Sequence, residues 1–500
     1  MAKRRIIAPA DFERMLPWHI LRGLGSTPQP VAARWATQEE IKTANWRFEP
    51  DTSMLFLGYR HGNAIGRADD RHQITIGGSR SGKFVSLIAP VMLTLPSNVI
   101  CCDPKGELAK VTASPREKLF GHRCVVLDPF KVSGRTPQRF NPLLEIKREV
   151  PELPDEIWPH AIDDAAALAD ALIQQTTSEA HWSEAAKSLL QALILMVLPL
   201  PEEHRTLGKV RDILMLRDPS ILSMVETSTE KDKEKALFAF MESETQIFGG
   251  MVAGIGAQLK AMGDRERGSI LSSARTQTAF LDSDNIKRSL ASSDFALSDL
   301  KLKPTTVYLC LPASAMGTHA RWLRLIITMA LREMERIEYV PPLPVLFLCD
   351  EASSLGYMRQ IEVAAAQMAG FGVKLWTVWQ DIGQIKQHYK EGWETFFGNS
   401  AIATFHGISD LTTLEYLSKR LGTLAFKVPI GTGAGFHSVA AAAALQQENL
   451  QTVQLAATHE LEIALARERQ RMIVLFSGSE PIILQRAFYY DDPFFLERMR

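Results

Sequence analysis

No stretch of this 500-residue chain is both long and apolar enough to span a bilayer. A spanning helix needs about 18–20 apolar residues. Leu189 to Leu200 comes nearest, but Gln191 interrupts it and Pro199 ends it. The start, Met-Ala-Lys-Arg-Arg, lacks the apolar core of a secretion signal, so the chain is expected to be soluble by its own sequence. A charge excess is also missing. Lys and Arg number 56 against 57 Asp and Glu, a formal net charge of -1. Nothing global marks a nucleic-acid binder, although a local basic channel disappears in that sum. Cysteine is scarce. Cys101, Cys102, Cys124, Cys310 and Cys349 lie in or beside apolar runs without zinc-site spacing. An odd count fits a reducing compartment and buried free thiols.

What remains is an ordinary globular composition, 46% hydrophobic. At this length one core stops growing, so two or more domains are expected. The organising stretch is Gly77-Gly78-Ser79-Arg80-Ser81-Gly82-Lys83-Phe84. Gln73 to Ile76 before it reads as a buried strand, and Val85 to Ala89 after it as a helix start. Glycines at the first and sixth positions followed by lysine fit G-x-x-x-x-G-K, the nucleotide-binding P-loop. Such a loop curls its N–H groups inward, and the helix start adds partial positive charge. Lys83 is then expected to reach the β- and γ-phosphates. The next position breaks the pattern, because Phe84 has no hydroxyl to place on Mg²⁺.

The rest of the chain alternates. Residues 1–50 form a basic, irregular N-terminal segment, in which Lys3, Arg4 and Arg5 read as a solvated terminus ahead of the alternative, a contact to an anionic membrane surface. Residues 51–157 read as the first part of an α/β core, with short strands at Met54 to Gly58 and Asn63 to Gly66. Asn98 to Asp103 and Cys124 to Asp128 are compact apolar runs ending in aspartate, as buried parallel strands do at an active edge. Residues 158–290 change character to helical periodicity and are expected to form an inserted all-alpha domain. Its helices include Ile162 to Ile173, Trp182 to Met196 and Glu230 to Glu242, and Gly249, Gly250, Gly254, Gly256 and Gly263 are expected to break helices near its end. The core resumes over 291–500, with strands at Thr305 to Leu311, Pro344 to Asp350, Lys374 to Gln380 and Ser400 to Phe405. Helices cover Arg321 to Arg332 and Thr412 to Leu421. Gly431 to Gly435 lacks the strand and lysine of a second phosphate loop and reads as a flexible loop. Ala440 to Ala444 fits helix or an unstructured run equally. A final hairpin is expected around Gly478.

A P-loop needs acidic help. The strand Leu346-Phe347-Leu348-Cys349 ends in Asp350-Glu351. Asp350 is placed to hold a Mg²⁺-bound water and Glu351 to polarise the attacking water. Gln380 ends the next strand, as a sensor of γ-phosphate or as a turn amide. Asp103 and Lys105 follow a strand end too, beside the nucleotide or in a surface turn.

These pieces, in this order, resemble the VirD4/TraG family of type IV secretion coupling proteins, the conjugative DNA-transfer ATPases. The matching stretches are His72 to Lys83, Cys102-Asp103-Pro104-Lys105-Gly106-Glu107-Leu108, Asn141-Pro142-Leu143, Leu348 to Glu351 and Trp379 to Gln384. Phe488-Tyr489-Tyr490-Asp491 is similar to the family's last strand. The resemblance covers roughly residues 30 to 495. It implies a RecA-like P-loop NTPase core with an inserted all-alpha domain, binding ATP and Mg²⁺. It further implies a ring, typically hexameric, at the cytoplasmic face of the bacterial inner membrane. Such a ring recruits a DNA–relaxase complex or effector proteins and passes them to secretion-channel components.

Carried over, Lys83 binds phosphate, Asp350 and Glu351 serve Mg²⁺ and hydrolysis, and Gln380 is the sensor. An arginine completing the neighbour's site is expected, with Arg420 and Arg324 as candidates. Two features depart from the family: no spanning helices precede the core, which leaves a monomer in isolation open, and Phe84 stands where relatives carry glycine, serine or threonine. Two other function classes compete, a non-hydrolysing cargo-docking platform that binds nucleotide and a free DNA helicase.

Overall fold

The computed structural model describes residues 33–146, 160–174, 180–223, 229–428 and 449–500. Lys3, Arg4, Arg5, Trp158, the Gly431 to Gly435 loop and the Ala440 to Ala444 run lie outside the described residues. Strands are, in chain order, β1 Leu55–Arg60, β2 Asn63–Arg67, β3 His72–Gly77, β4 Val99–Asp103, β5 Arg123–Leu127, β6 Thr305–Cys310 and β7 Val345–Cys349. They continue with β8 Val373–Trp379, β9 Ser400–His406, β10 Thr423–Val428, β11 Asn449–Gln454, β12 Arg471–Phe476 and β13 Ile482–Gln485. The chain divides into two compact units. One holds the described residues up to Pro96 with Lys374–Arg500, the other Ser97–Val373.

In the first unit the strand order is β2-β1-β13-β12-β9-β3-β8, and β10 pairs separately with β11. β3 runs parallel to both β8 and β9, whereas β12 joins β9 antiparallel. β3, β8 and β9 are buried along their whole length. That explains why they read as continuous apolar runs rather than alternating ones, because both faces of such strands are covered. Phe48, Phe56 and Phe495 build an aromatic core under β1, with edge-to-face ring centroids 5.1 and 5.0 Å apart. The terminal helix Pro493–Arg498, capped by Asp492, is tied down by Arg498, which donates to the Leu93 carbonyl at 2.7 Å and pairs with Asp51. The expected final hairpin is β12 and β13. The chain after it differs from expectation, since Phe488 to Asp491 form no strand. The Tyr489 N–H is spent on the Val85 carbonyl and the Asp491 and Asp492 N–H groups on the Phe488 carbonyl, a turn into the terminal helix rather than a strand.

In the second unit the order is β7-β4-β6-β5, all parallel. Between β5 and β6, from 160 to 302, the described residues contain helices and no strand. Helix Ala161–Leu172 shows why. Ala161, Ala165, Leu168, Ala169 and Leu172 recur on one buried stripe at helical spacing. Asp164 in that stripe is fully buried and paired with Arg332 and Arg336 of helix Ala313–Arg336, at 2.8 and 2.6 Å. Gly249 and Gly250, both at positive φ, interrupt the chain as expected. Gly254 and Gly256 do not, for they lie inside helix Met251–Ala261. A Cβ on Gly256 would meet Met241 Cβ at 2.6 Å, so this glycine permits close crossing with helix Glu230–Ser243 rather than breaking a helix. Asn141 brackets this region, its side chain donating to the Arg205 carbonyl and accepting from Leu143 N–H.

Candidate functional site

β3 delivers the glycine-rich loop of the first unit, and its neighbours fix the delivery. Trp376 of β8 donates its indole N–H to Thr75 Oγ1 at 2.9 Å, and Thr75 shares a 2.7 Å hydrogen bond with Thr404 of β9. The loop then rests on the turn that follows β9. Gly78 N–H donates to the Gly407 carbonyl at 3.0 Å. A Cβ on Gly78 would sit 2.5 Å from that oxygen, and one on Gly407, at φ +61, would sit 2.3 Å from Ser81 Cβ. The Gly78 backbone lies against the Gly407 carbonyl, and Gly407 is left-handed and pressed against Ser81, so both positions call for glycine. Ser79 and Arg80 are exposed at the rim, and Arg80 is left-handed at φ 57. Gly82 is also at positive φ, 90. Lys83 is buried, its ammonium donating to the Gly77 and Gly78 carbonyls at 2.5 and 3.0 Å. Ser81 Oγ is buried with no hydrogen-bond partner among the described residues. A buried ammonium folded onto loop carbonyls, beside an unsatisfied hydroxyl, fits a cradle made for phosphate oxygens.

Phe84 opens a π-helical turn, Phe84–Ile88, before the α-helix Ala89–Thr94. Pro90 has no N–H, so the Val85 carbonyl lacks its donor five residues on. Tyr489 N–H fills the gap at 3.1 Å. The half-buried Phe84 ring packs edge-to-face on Tyr489, centroids 5.9 Å apart. Ser86 does not replace the missing hydroxyl, because it is buried and donates to the Gly82 carbonyl at 2.8 Å. Gln380 follows β8 directly and is half-buried, its N–H donating to Gln384 Oε1 at 3.1 Å. Arg420 is exposed in the last turn of helix Leu411–Leu421.

The acidic candidates stand on the second unit. Asp350 and Glu351 follow β7 directly, both half-buried. Glu351 is held left-handed at φ 57, and its carbonyl accepts from Ser354 Oγ at 2.7 Å. A glutamate in that conformation carries about 1–2 kcal/mol of strain, and such residues cluster at functional sites. Asp103 ends β4 with its carboxylate buried and accepting from Ala109 N–H at 2.8 Å. Burial pushes its pKa up against those backbone hydrogen bonds. Lys105 in the turn beyond is exposed. Arg324 is the other arginine candidate and lies within the second unit. It is buried, donating to the carbonyls of Ala171 at 3.0 Å, Leu355 at 2.9 Å and Tyr357 at 2.6 Å. Three backbone carbonyls hold this guanidinium inside the second unit, so of the two arginine candidates Arg420 is the exposed one.

The sequence profile of the family described as "Type IV secretory system Conjugative DNA transfer" matches residues 33–500. The chain belongs to this conjugative DNA-transfer family. The type IV secretion system-coupling protein VirD4 of Bartonella quintana (strain Toulouse) is 27% identical over 420 residues, 84% of this chain and 63% of that protein. The conjugal transfer protein TraG of Escherichia coli is 25% identical over 428 residues, 78% of this chain and 64% of that protein. The chain thus spans a little under two thirds of the length of these relatives. Among solved structures, plasmid coupling protein TrwB in complex with ADP and Mg²⁺ superposes with a TM-score of 0.64 at 13% identity, covering 94% of this chain and 97% of that one. That likeness establishes the fold, a RecA-like α/β core with additional helices.

No helix among the described residues of this family member is long and apolar enough to cross a membrane. Nor does any group of three or more His, Cys, Asp and Glu among them form a metal cluster. Mg²⁺ in nucleotide sites takes one or two carboxylates together with phosphates and water. Asp350 and Glu351 are adjacent carboxylates of that donor type. Sequence reasoning missed His406 and Arg486. His406 closes β9 fully buried, and burial with the Arg486 and Lys83 cations holds its pKa well below the usual histidine value. Arg486 is buried directly behind the loop, donating to the Ser81 carbonyl. The only sequence signal was its place two residues ahead of the Phe488-Tyr489-Tyr490 run.

Proposed function

We propose that this protein is an ATP-dependent coupling protein, driving DNA–relaxase complexes or effector proteins into a type IV secretion channel. The observation that carries the reading is the buried Lys83 ammonium held on the Gly77 and Gly78 carbonyls at the foot of a loop shaped by Gly78 and Gly407. Membership of the conjugative DNA-transfer family over residues 33–500 supports the cargo class.

In this reading Lys83 exchanges loop carbonyls for phosphate oxygens, and loop N–H groups from Gly82 to Phe84 cradle the phosphates. Glu351 orients a water for in-line attack and accepts its proton, while Gln380 senses the γ-phosphate. Asp350 would hold Mg²⁺, which when bound neutralises charge on the transferred phosphoryl group. Arg420, the exposed candidate, reaches a neighbouring subunit in a six-membered ring at the cytoplasmic face of the inner membrane. Isolated subunits are monomers that cargo or channel components gather.

ATP turnover by the purified chain, with and without single-stranded DNA, tests the assignment. Lys83→Ala abolishes turnover with the fold intact. Glu351→Gln still binds ATP but traps it unhydrolysed. Unchanged turnover in Lys83→Ala sinks the site. A second reading, a docking platform that binds nucleotide without hydrolysing it, is favoured by Phe84 alone. Tight cargo binding by a wild-type chain with no turnover under any condition selects it.

A further inference from the structure

The phosphate loop has a cation behind it as well as one at its foot. Arg486 is 4% exposed and sits just past β13. Its Nη1 donates to the Ser81 carbonyl and to His406 Nδ1 at 3.0 Å, and lies 3.5 Å from Ser86 Oγ. Its Nη2 donates to the Arg467 carbonyl at 3.4 Å, and the guanidinium lies over the Phe488 ring at 5.6 Å. Every one of these acceptors is neutral. No carboxylate among the described residues forms an ion pair with it, although buried cations are ordinarily paired with acids. His406 cannot share the charge. It accepts at Nδ1, so its proton is on Nε2, which is buried without a partner among the described residues. Two buried cations, Lys83 and Arg486, therefore flank one glycine-rich loop.

We propose that Arg486 is a positioning residue for the nucleotide site. It turns the Ser81 carbonyl to the back of the loop and supplies a buried charge that bound polyphosphate balances. The proposal rests on the nucleotide-binding reading above. Its first half follows from peptide geometry. C=O and N–H point to opposite sides of a trans peptide. Anchoring the Ser81 carbonyl on Arg486 therefore aims the Gly82 N–H at the other side, where a phosphate cradle needs a donor. Its second half follows from electrostatics, since an uncompensated buried cation is relieved by an anion across a thin, low-dielectric loop. The same chain segment grips the loop twice more, through Tyr489 N–H on the Val85 carbonyl and the Tyr489 ring on Phe84.

Isothermal titration of the full chain with ADP and with adenosine tests this, comparing wild type with Arg486→Met, Arg486→Gln and Arg486→Lys. Arg486→Met weakens ADP binding by about tenfold or more, the equivalent of one charge-assisted contact. Adenosine, which has no phosphate, binds both alike. Arg486→Lys recovers most of the ADP affinity because the charge returns. Where Arg486→Met does not fold, Arg486→Gln carries the comparison, since its amide still donates to Ser81 without charge. Wild-type ADP affinity in the uncharged variants overturns the proposal, as does an equal loss of ADP and adenosine. Equal weakening in Arg486→Lys also overturns it. A wild-type chain that fails to bind ADP overturns the nucleotide-binding reading itself, and this inference with it.

Discussion

Replacing Phe84 separates two things the residue does. Its ring is half-buried and stands edge-to-face on Tyr489 at 5.9 Å, while its position is the one where a P-loop places a hydroxyl. The aromatic pair contributes about 0.5–1.5 kcal/mol beyond area. Half-burying the ring adds about 1 kcal/mol, roughly half the value for a fully buried side chain. Phe84→Thr therefore costs about 2 kcal/mol, and Phe84→Ala costs the same within error. In thermal unfolding followed by scanning fluorimetry, both variants melt about 4–8 °C below wild type, the shift for a domain of a few hundred residues. The gain is specific to threonine. Its hydroxyl sits next to Lys83, and a single added ligand to a cation is worth about tenfold in affinity or more. The assay is Mg²⁺ titration of ADP binding for the three chains. Phe84→Thr reaches half-saturation at a Mg²⁺ concentration about tenfold lower than Phe84→Ala. Identical Mg²⁺ dependence in the two variants refutes the reasoning, because the loop would then place no side chain near the metal at that position.

Four further outcomes follow from particular residues. Arg324→Ala leaves the carbonyls of Ala171, Leu355 and Tyr357 without this donor and destabilises by about 3 kcal/mol or more. Exposed Arg420→Ala stays within about 0.5 kcal/mol of wild type yet lowers turnover by about a thousandfold, a loss that leaves the melting temperature in place. Full turnover in Arg420→Ala removes it from the neighbour's site. Lys374, 5% exposed, donates to the Asp69 carbonyl, and burial lowers its pKa to about 8 against support from Asp69 and Asp70 and opposition from Arg71. Between pH 8 and 10.5 the unfolded lysine holds more proton than the folded one, so stability rises with pH across that window, by up to about 3 kcal/mol. Urea midpoints at pH 8 and 10 show this rise in wild type relative to Lys374→Met, and parallel midpoints in the two chains exclude it. Gly256→Ala forces a Cβ to within 2.6 Å of Met241 and 2.9 Å of the Glu242 nitrogen, costing about 1–3 kcal/mol by urea unfolding. An unchanged midpoint means the two helices slide apart freely.

The strands were legible because both faces of the sheet are covered. Val345–Cys349 and Val373–Trp379 lack polar interruptions, except for Lys374 and Thr377, and their boundaries fall within a residue or two of the sequence reading. Helices with a buried stripe, such as Ala161–Leu172, were legible for the matching reason at a period of 3.6. Gly254 and Gly256 were misread, because a helix-weakening residue and a helix-crossing residue look alike until the partner helix is placed. The π turn at Phe84 was equally hidden. It depends on Pro90 withholding a donor and on Tyr489 supplying one from the far end of the chain.

That last dependence bears on how the loop works. The sequence pattern names the residues that face a phosphate and says nothing about what stands behind them. Arg486 reaches Ser81 across 405 residues, His406 lies 80 residues before Arg486, and Gly407 supports Gly78 from the end of β9. Each of these backs the loop with a residue that a P-loop consensus leaves unspecified. A loop held in this way need not derive its charge or shape from the position after the lysine. The substitution of phenylalanine there removes a metal ligand while adding a grip on Tyr489, so it shifts the loop's support from the cation toward the chain's own C-terminal segment. The expected consequence is a site in which polyphosphate affinity depends strongly on Arg486 and only weakly on Mg²⁺, and comparing ADP binding with and without Mg²⁺ in wild type and Arg486→Met measures both dependences in one experiment. A large Mg²⁺ dependence in wild type together with indifference to Arg486 would invert the assignment and return the metal to its usual place in the loop.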